Sequence, residues 1–293
     1  MINMPTETYC IDTKNLTKRY SSGFTLDHLN LQVPTGRVMG LIGENGAGKT
    51  TTLKLLLNLI KKEEGSIRLL GLDPEKNGDL IKEQIGVVFD ENHFHDSFSI
   101  MDITKIMRGI YSNWDDAAFQ RYLHAFQLPK DKKCKEFSRG MKMKLSIAVA
   151  LSHHPKLLIL DEATSGLDPV VRDEILSIFF DFIQDESHTI LMSSHITSDL
   201  EKIADYITFL HDGKVVFSGV KDDIMGQYGI LKCGSQELDT IDSALIVKIR
   251  KGSFGCEALV KDKKAARRRY PNYVINNPSL EDIMVFYVKG ENK

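Results

Sequence analysis

The spacing of hydrophobic positions changes period along the chain. From Tyr9 to Val33 apolar and polar residues alternate around a break at Ser21-Ser22-Gly23, the pattern of antiparallel strands joined by a turn. Short apolar runs then recur, at Arg37–Ile42, Ile85–Phe89, Leu157–Leu160 and Thr189–Ser193. Runs of this length predict strands buried on both faces, as in a parallel sheet. Ile67–Leu70, between the turns Glu63-Glu64-Gly65-Ser66 and Gly71-Leu72-Asp73-Pro74, reads as a further strand. From Ser99 to about Leu151 the period lengthens. Met101, Ile103, Ile106, Met107 and Ile110 recur at spacings of three and four, which predicts a helix with a buried stripe. Asp115-Asp116 can start a second helix carrying Phe119, Tyr122, Leu123 and Phe126. Helices are also expected over Thr52–Leu59, over Pro169–Gln184 with Pro169 in the first turn, and after a capping box at Ser198 and Glu201. Tyr206–Leu210 and Lys214–Phe217 flank Asp212-Gly213 as a hairpin. Past Gly219 the character changes: Leu245–Ile249 and Tyr273–Ile275 read as short strands and Leu280–Val288 as a short helix.

The expected organisation is an α/β domain over residues 1–220 with a mainly parallel core sheet, an N-terminal antiparallel β subdomain and an inserted α-helical subdomain at about 92–155. A small α+β extension follows over 221–293. The chain has 293 residues, and 42% of them are hydrophobic, enough for a sizeable core. Its 38 basic and 40 acidic residues leave a net charge of −2, which argues against a dominant nucleic-acid surface. Cys10, Cys134, Cys233 and Cys256 are scattered and form no C-x-x-C pair, so reduced thiols in a cytosolic setting are expected. No signal peptide and no apolar run long enough to span a bilayer is evident, so any membrane part is expected on another chain. The basic run Lys261–Arg269 reads as a solvated helix face more readily than as a lipid or partner site.

Two stretches carry chemistry. Gly43-Glu44-Asn45-Gly46-Ala47-Gly48-Lys49-Thr50-Thr51 fits G-x-x-x-x-G-K-[ST], with an expected strand before it and a helix after it. Glycines let the backbone N–H groups converge on a phosphate, and the helix start adds partial positive charge. Lys49 supplies a full positive charge for the outer phosphates, and the Thr50 hydroxyl suits a phosphate-bound Mg²⁺. Asp161-Glu162 closes the Leu157–Leu160 strand at its carboxyl end, where open α/β sheets place ligands. Asp161 suits Mg²⁺, normally through water, and Glu162 suits a general base acting on water. Tyr20, at the end of the first strand, reads as a packing residue or as a platform for a base. His195 follows a core strand, as a satisfied histidine or as a group reaching a nucleotide.

Together these motifs resemble the ATP-binding subunit of a bacterial ABC transporter, over about residues 9–220 and more loosely beyond. The phosphate loop and Leu157–Glu162 match the family's Walker A and Walker B motifs. Phe137-Ser138-Arg139-Gly140-Met141 stands where the family has its L-S-G-G-Q signature, Ser165-Gly166-Leu167-Asp168 matches its D-loop, and His195 its switch histidine. Tyr20 falls where the family stacks an aromatic on adenine. Two motifs depart from the pattern. The signature has Arg139 and Met141, and Asp90 replaces the Q-loop glutamine, with the expected role of an anion near Mg²⁺. Both departures resemble a bacterial exporter class that handles peptides, antibiotics and lipids.

The resemblance implies ATP and Mg²⁺ as ligands, with Glu162 as general base, Lys49 and His195 on the γ-phosphate, and Thr50, Asp161 and Asp90 toward the metal. It also implies a second nucleotide-binding subunit whose ATP meets Ser138 and Gly140, and a transmembrane permease that places the chain at the cytoplasmic face of the membrane. No nucleic acid is expected. The competing readings are a soluble ABC ATPase acting on nucleic acid or the ribosome, and a non-catalytic nucleotide sensor. The single phosphate loop and the absence of a long heptad region disfavour the first. Intact Lys49, Asp161, Glu162 and His195 disfavour the second.

Overall fold

A computed structural model of the chain describes residues 8–90, 94–252 and 255–293. The chain opens with β1 (Tyr9–Arg19), β2 (Thr25–Leu29) and β3 (Gln32–Pro34), then β4 (Val38–Ile42), α1 (Lys49–Leu56), β5 (Glu64–Leu69), α2 (Gly78–Lys82) and β6 (Ile85–Val88). β1 is long enough to pair antiparallel with β2, β3 and β5, which makes the expected antiparallel sheet.

Three helices follow: α3 (Ile100–Ile110), α4 (Asp116–Ala125) and α5 (Arg139–Leu151). Each begins at a residue whose side chain satisfies a first-turn N–H. Ser99 and Asp102 form a capping box on α3, Asp115 caps α4, and Ser138 caps α5 by accepting from the Met141 N–H. The expected start of this insert at residue 92 lies outside the described residues. One expectation is corrected: in α3 the buried positions are Ile100 and Ile103, whereas Met101 is 67% exposed, Ile110 57% and Ile106 38%. The run Ile100-Met101 and the pair Ile106-Met107 leave more apolar surface than one face of the helix can hide, so the stripe divides between core and solvent.

The chain then returns to the core through β7 (Leu157–Asp161), α6 (Pro169–Phe182), β8 (Thr189–Ser194), α7 (Thr197–Ile203), β9 (Tyr206–His211) and β10 (Lys214–Val220). The core sheet has the order β10-β9-β4-β8-β7-β6, with β6, β7, β8, β4 and β9 parallel and β10 antiparallel at the edge. β4, β7 and β8 are buried at every position, as strands covered on both faces must be. Alternate residues divide between two cores. Met39, Leu41, Leu157 and Ile159 pack with α1 and the antiparallel sheet, while Val38, Ile42, Leu158 and Leu160 pack with residues of α5, α6 and α7. The expected capping box at Ser198 is not formed: α7 begins at Thr197, its flanking residue Ile196 gives no side-chain cap, and Glu201 accepts instead from the Leu280 N–H at 2.7 Å.

Beyond β10 come α8 (Lys221–Gln227), β11 (Tyr228–Cys233), β12 (Ile246–Gly252), β13 (Gly255–Lys261), α9 (Lys263–Arg269), β14 (Val274–Asn276) and α10 (Leu280–Lys289). Their sheet runs β12-β13-β11-β14, all antiparallel. β11 and β13 were not expected from the sequence. In α10, Leu280, Ile283 and Phe286 belong to the same cluster as Leu200 of α7, and the Tyr287 and Tyr228 hydroxyls meet at 2.9 Å. Two arginines of the basic run are tied within the chain, Arg267 to the Ile275 carbonyl and Arg269 to Asp242.

Candidate active site

Because β4, β6, β7 and β8 run parallel, their carboxyl ends open onto one edge of the sheet. There a cleft of about 720 Å³ is lined by residues from the turn after β1, the loop after β4, Asp90 after β6, Asp161 at the end of β7 and Glu162 just beyond it, and His195 after β8. That volume lies within the roughly 300–1,000 Å³ of small-molecule sites.

The loop from Gly43 to Gly48 turns directly into α1. Gly48 makes the turn at φ 110, where a side chain is strained, and a Cβ there would come within 3.1 Å of Leu26 and Phe24. Gly48 gives α1 no side-chain cap, which leaves the first-turn N–H groups for a ligand. Asn45, Gly46, Thr50 and Thr51 line the cleft. Gly43 and Ala47 do not, and the Ala47 methyl is buried in the core beside α1. Glu44 reaches the cleft, but its carboxylate holds His211 Nδ1 at 2.6 Å and so ties the loop to the end of β9. Lys49 is only 6% exposed; its Nζ donates to the Gly43 carbonyl at 2.7 Å and lies 3.4 Å from Glu162 Oε1.

A chain of hydrogen bonds joins the opposite wall. Ser193 Oγ donates to Asp161 Oδ1 at 2.6 Å and accepts from the Glu162 N–H at 3.2 Å. Glu162 adopts φ 52, a left-handed conformation that a non-glycine residue holds only where its surroundings impose it. Its Oε2 accepts from His195 Nδ1 at 2.6 Å and from the His195 backbone N–H at 3.3 Å. With Nδ1–H donating, Nε2 of a neutral imidazole is left as an acceptor. Ser193 is the functional residue that sequence reasoning missed. The polar pair Ser193-Ser194 closing an otherwise apolar strand was the signal available.

Tyr20 lines the cleft beside Ser22 and Phe24, with the Tyr20 and Phe24 ring centroids 6.2 Å apart and Lys18 Nζ 5.7 Å from the Tyr20 ring. Asp90 also lines it, and its carboxylate accepts from Arg139. Ser138 and Gly140 stand apart from the cleft's lining at the start of α5. The cleft can therefore hold a polyphosphate between the α1 amides and Lys49, with a carboxylate placed to take a proton from water. The Thr50 hydroxyl and the Asp161 carboxylate are hard oxygen donors of the kind Mg²⁺ takes.

A phosphate loop at the end of a parallel strand, faced by a strand ending in two carboxylates, defines a phosphate-loop nucleotide hydrolase. The narrower assignment comes from comparison with known proteins. The ABC transporter family profile matches residues 26–165. A bacitracin transport ATP-binding protein of Enterococcus faecalis is 36% identical over 210 residues, covering 71% of this chain and 68% of that protein. A lantibiotic transport ATP-binding protein of Streptococcus pyogenes is 39% identical over 205 residues, 69% of this chain and 87% of that one. A solved ATP-binding subunit of an ABC transporter superposes with a TM-score of 0.67 at 27% identity, over 74% of this chain and 92% of the other. This chain belongs to the ABC transporter family, as an ATP-binding and ATP-hydrolysing component. Among the described residues no helix is long and apolar enough to cross a membrane.

Proposed function

We propose that this chain is the ATPase of an exporter of peptide antibiotics, held at the cytoplasmic face of the membrane by a separate transmembrane permease and paired there with a second nucleotide-binding subunit. Residues 1–220 form the ATPase domain, with the helical subdomain at about 92–155, and residues 221–293 form an extension. The relatives named for bacitracin and lantibiotic transport support the substrate class. The exposed Ile106 and Ile110, one turn apart on α3, support a docked partner, since adjacent large apolar side chains on one helix face suit an interface.

The hydrolytic role rests on the hydrogen-bonded chain Asp161–Ser193–Glu162–His195. Phosphate oxygens bound at the α1 N-terminus compete with Glu162 for Lys49 and free the carboxylate to accept a proton from water. His195, anchored by Glu162, presents Nε2 toward the same space and orients that water. Thr50 and Asp161 would hold Mg²⁺, which would supply neutralising charge to the bound phosphates. Tyr20 stacks on the base.

The test is to express the chain with the transmembrane protein that co-purifies with it, in a strain sensitive to bacitracin and to a lantibiotic. The wild-type pair should raise the inhibitory concentration of at least one of them, and the Glu162→Gln pair should not. Hydrolysis stimulated by DNA or ribosomes, with no membrane protein retained, would instead favour a soluble ATPase.

A further inference from the structure

Two of the residues at which this chain departs from its family's motifs meet in space. Asp90 follows β6 and Arg139 opens α5, 49 residues later, yet Arg139 Nη2 donates to Asp90 Oδ1 at 2.7 Å. The same guanidinium lies over Gly166, in the segment after β7. A Cβ on Gly166 would stand 2.7 Å from Arg139 Nη1 and 2.9 Å from Cζ, and Gly166 holds φ +66. The approach therefore uses a glycine for both its space and its backbone conformation. One side chain thus touches two of the elements that line the cleft. Asp90 and Ser165 both belong to that lining.

Arg139 sits between Ser138, which caps α5, and Gly140. A contact made by the guanidinium therefore acts on the first turn of α5. Lys142, one turn on, is held by Asp96 at 3.3 Å, and Lys144 by Glu174 at 2.5 Å, so the helix body is anchored independently of its tip. Asp90 alone would stand uncompensated near a polyphosphate, and Arg139 alone would be drawn to the phosphates. Together they neutralise each other, and a carboxylate already accepting from a guanidinium is a weakened anion for a metal.

We propose that Asp90 and Arg139 form a strut that aims the tip of α5, with Ser138 and Gly140, at the ATP of a second subunit, and that Asp90 serves the reaction through Arg139 rather than at the metal. Both are positioning residues. The inference rests on the paired arrangement proposed above. The side chains are 46% and 55% exposed, so the bond contributes modestly, and its leverage comes from its place at the helix tip.

The experiment compares Asp90→Ala, Arg139→Ala, the double variant, and the exchanged protein carrying Asp90→Arg with Arg139→Asp. MgATP hydrolysis is measured for each across protein and Mg²⁺ concentration. Each single variant should lose roughly two- to five-fold in kcat with KM unchanged, the range expected for an exposed ion pair. The double variant should be no worse than either single one, and the exchanged protein should recover most of the loss. Additive losses would overturn the strut. So would an Asp90→Ala protein that needs more Mg²⁺ while Arg139→Ala does not, because that places Asp90 at the metal. Failure of the paired arrangement is detected separately, as a Glu162→Gln protein with positions 90 and 139 intact that does not dimerise with ATP. In that event amide exchange over residues 138–143 decides the strut within one subunit: equal acceleration in both single variants supports it, and unchanged exchange overturns it.

Discussion

Glu162 is the residue on which the site's contacts converge: Lys49 at 3.4 Å, the His195 imidazole at 2.6 Å, and Ser193 at its own N–H. Replacing only its proton-accepting oxygen keeps most of this arrangement. Glu162→Gln is expected to bind MgATP normally and to turn over roughly 10²–10⁴-fold slower, the usual worth of general-base catalysis. Calorimetry and phosphate release check the two halves, and near-normal release would remove Glu162 from the role. Ser193 acts at one remove, since its hydroxyl orients Asp161. Ser193→Ala should therefore raise the Mg²⁺ needed for half-maximal hydrolysis by about 10-fold, the lower range for losing a group that orients a ligand. An unchanged Mg²⁺ requirement would make that hydroxyl a packing group. Lys49, Asp161, Glu162 and His195 were legible in the sequence because apolar runs mark strand ends and the chemistry sits at those ends. Ser193 was legible only as half of the polar pair that closes β8, because the sequence carries no sign of what its hydroxyl faces. Asp90 was legible as a departure from the family's pattern, but its partner lies 49 residues away, and no local periodicity reports such a pairing.

The elements were legible where one physical cause dominates. Strands buried on both faces, such as β4, β7 and β8, announce themselves as apolar runs, and Ser99, Asp115 and Asp168 cap the helices that follow them. β11 and β13 were not legible, because Tyr228-Gly229-Ile230-Leu231-Lys232-Cys233 and Gly255-Cys256-Glu257-Ala258-Leu259-Val260-Lys261 alternate poorly and gain their burial from α10 and from each other. The join between helical insert and core was also silent in the sequence. His153 follows α5, is fully buried, stacks on Tyr111 at 3.9 Å between ring centroids, and donates from Nε2 to the Ile85 carbonyl of β6 at 2.9 Å. Burial holds its pKa below the ordinary imidazole value, with the Ile85 bond acting the other way. The folded protein therefore keeps the ring neutral at a pH where the unfolded chain, with a pKa near 6.5, already takes up a proton. The stability this ring supplies is complete above that value and is lost as pH falls below it toward the folded pKa. The urea midpoint should fall between about pH 7 and pH 5.5, and His153→Phe, weaker at neutral pH, should show a shallower fall. Equal slopes in the two proteins would exclude His153 as the source.

At the scale of the whole molecule, the succession of antiparallel sheet, phosphate loop, helical insert and returning parallel strands was legible, because each part has its own hydrophobic period. The way the last 73 residues join the core was not, since α10 meets α7 through contacts between residues far apart in sequence. In the paired arrangement proposed above, one chain does not complete the site. The cleft gathers Lys49, Asp161, Glu162 and His195, while Ser138 and Gly140 lie outside its lining at the start of a second helix suited to an anion. A second subunit, related by symmetry, can present that helix start to the first subunit's phosphates. Closure then buries charge shared between two proteins, so it should need nucleotide and be weak without it. With ATP, Glu162→Gln should shift from monomer toward dimer in light scattering, because slow hydrolysis preserves the bound anion. Ser138 also caps α5 through the Met141 N–H, so replacing it carelessly would confuse a lost cap with a lost contact. Ser138→Asp retains a capping oxygen and favours the helix N-terminus, yet places a carboxylate toward the partner's γ-phosphate. Added to Glu162→Gln, it should leave the thermal midpoint and monomer ATP binding near those of Glu162→Gln and abolish the ATP-dependent dimer. A double variant that dimerises as well as Glu162→Gln alone would show that α5 does not meet a neighbour's ATP.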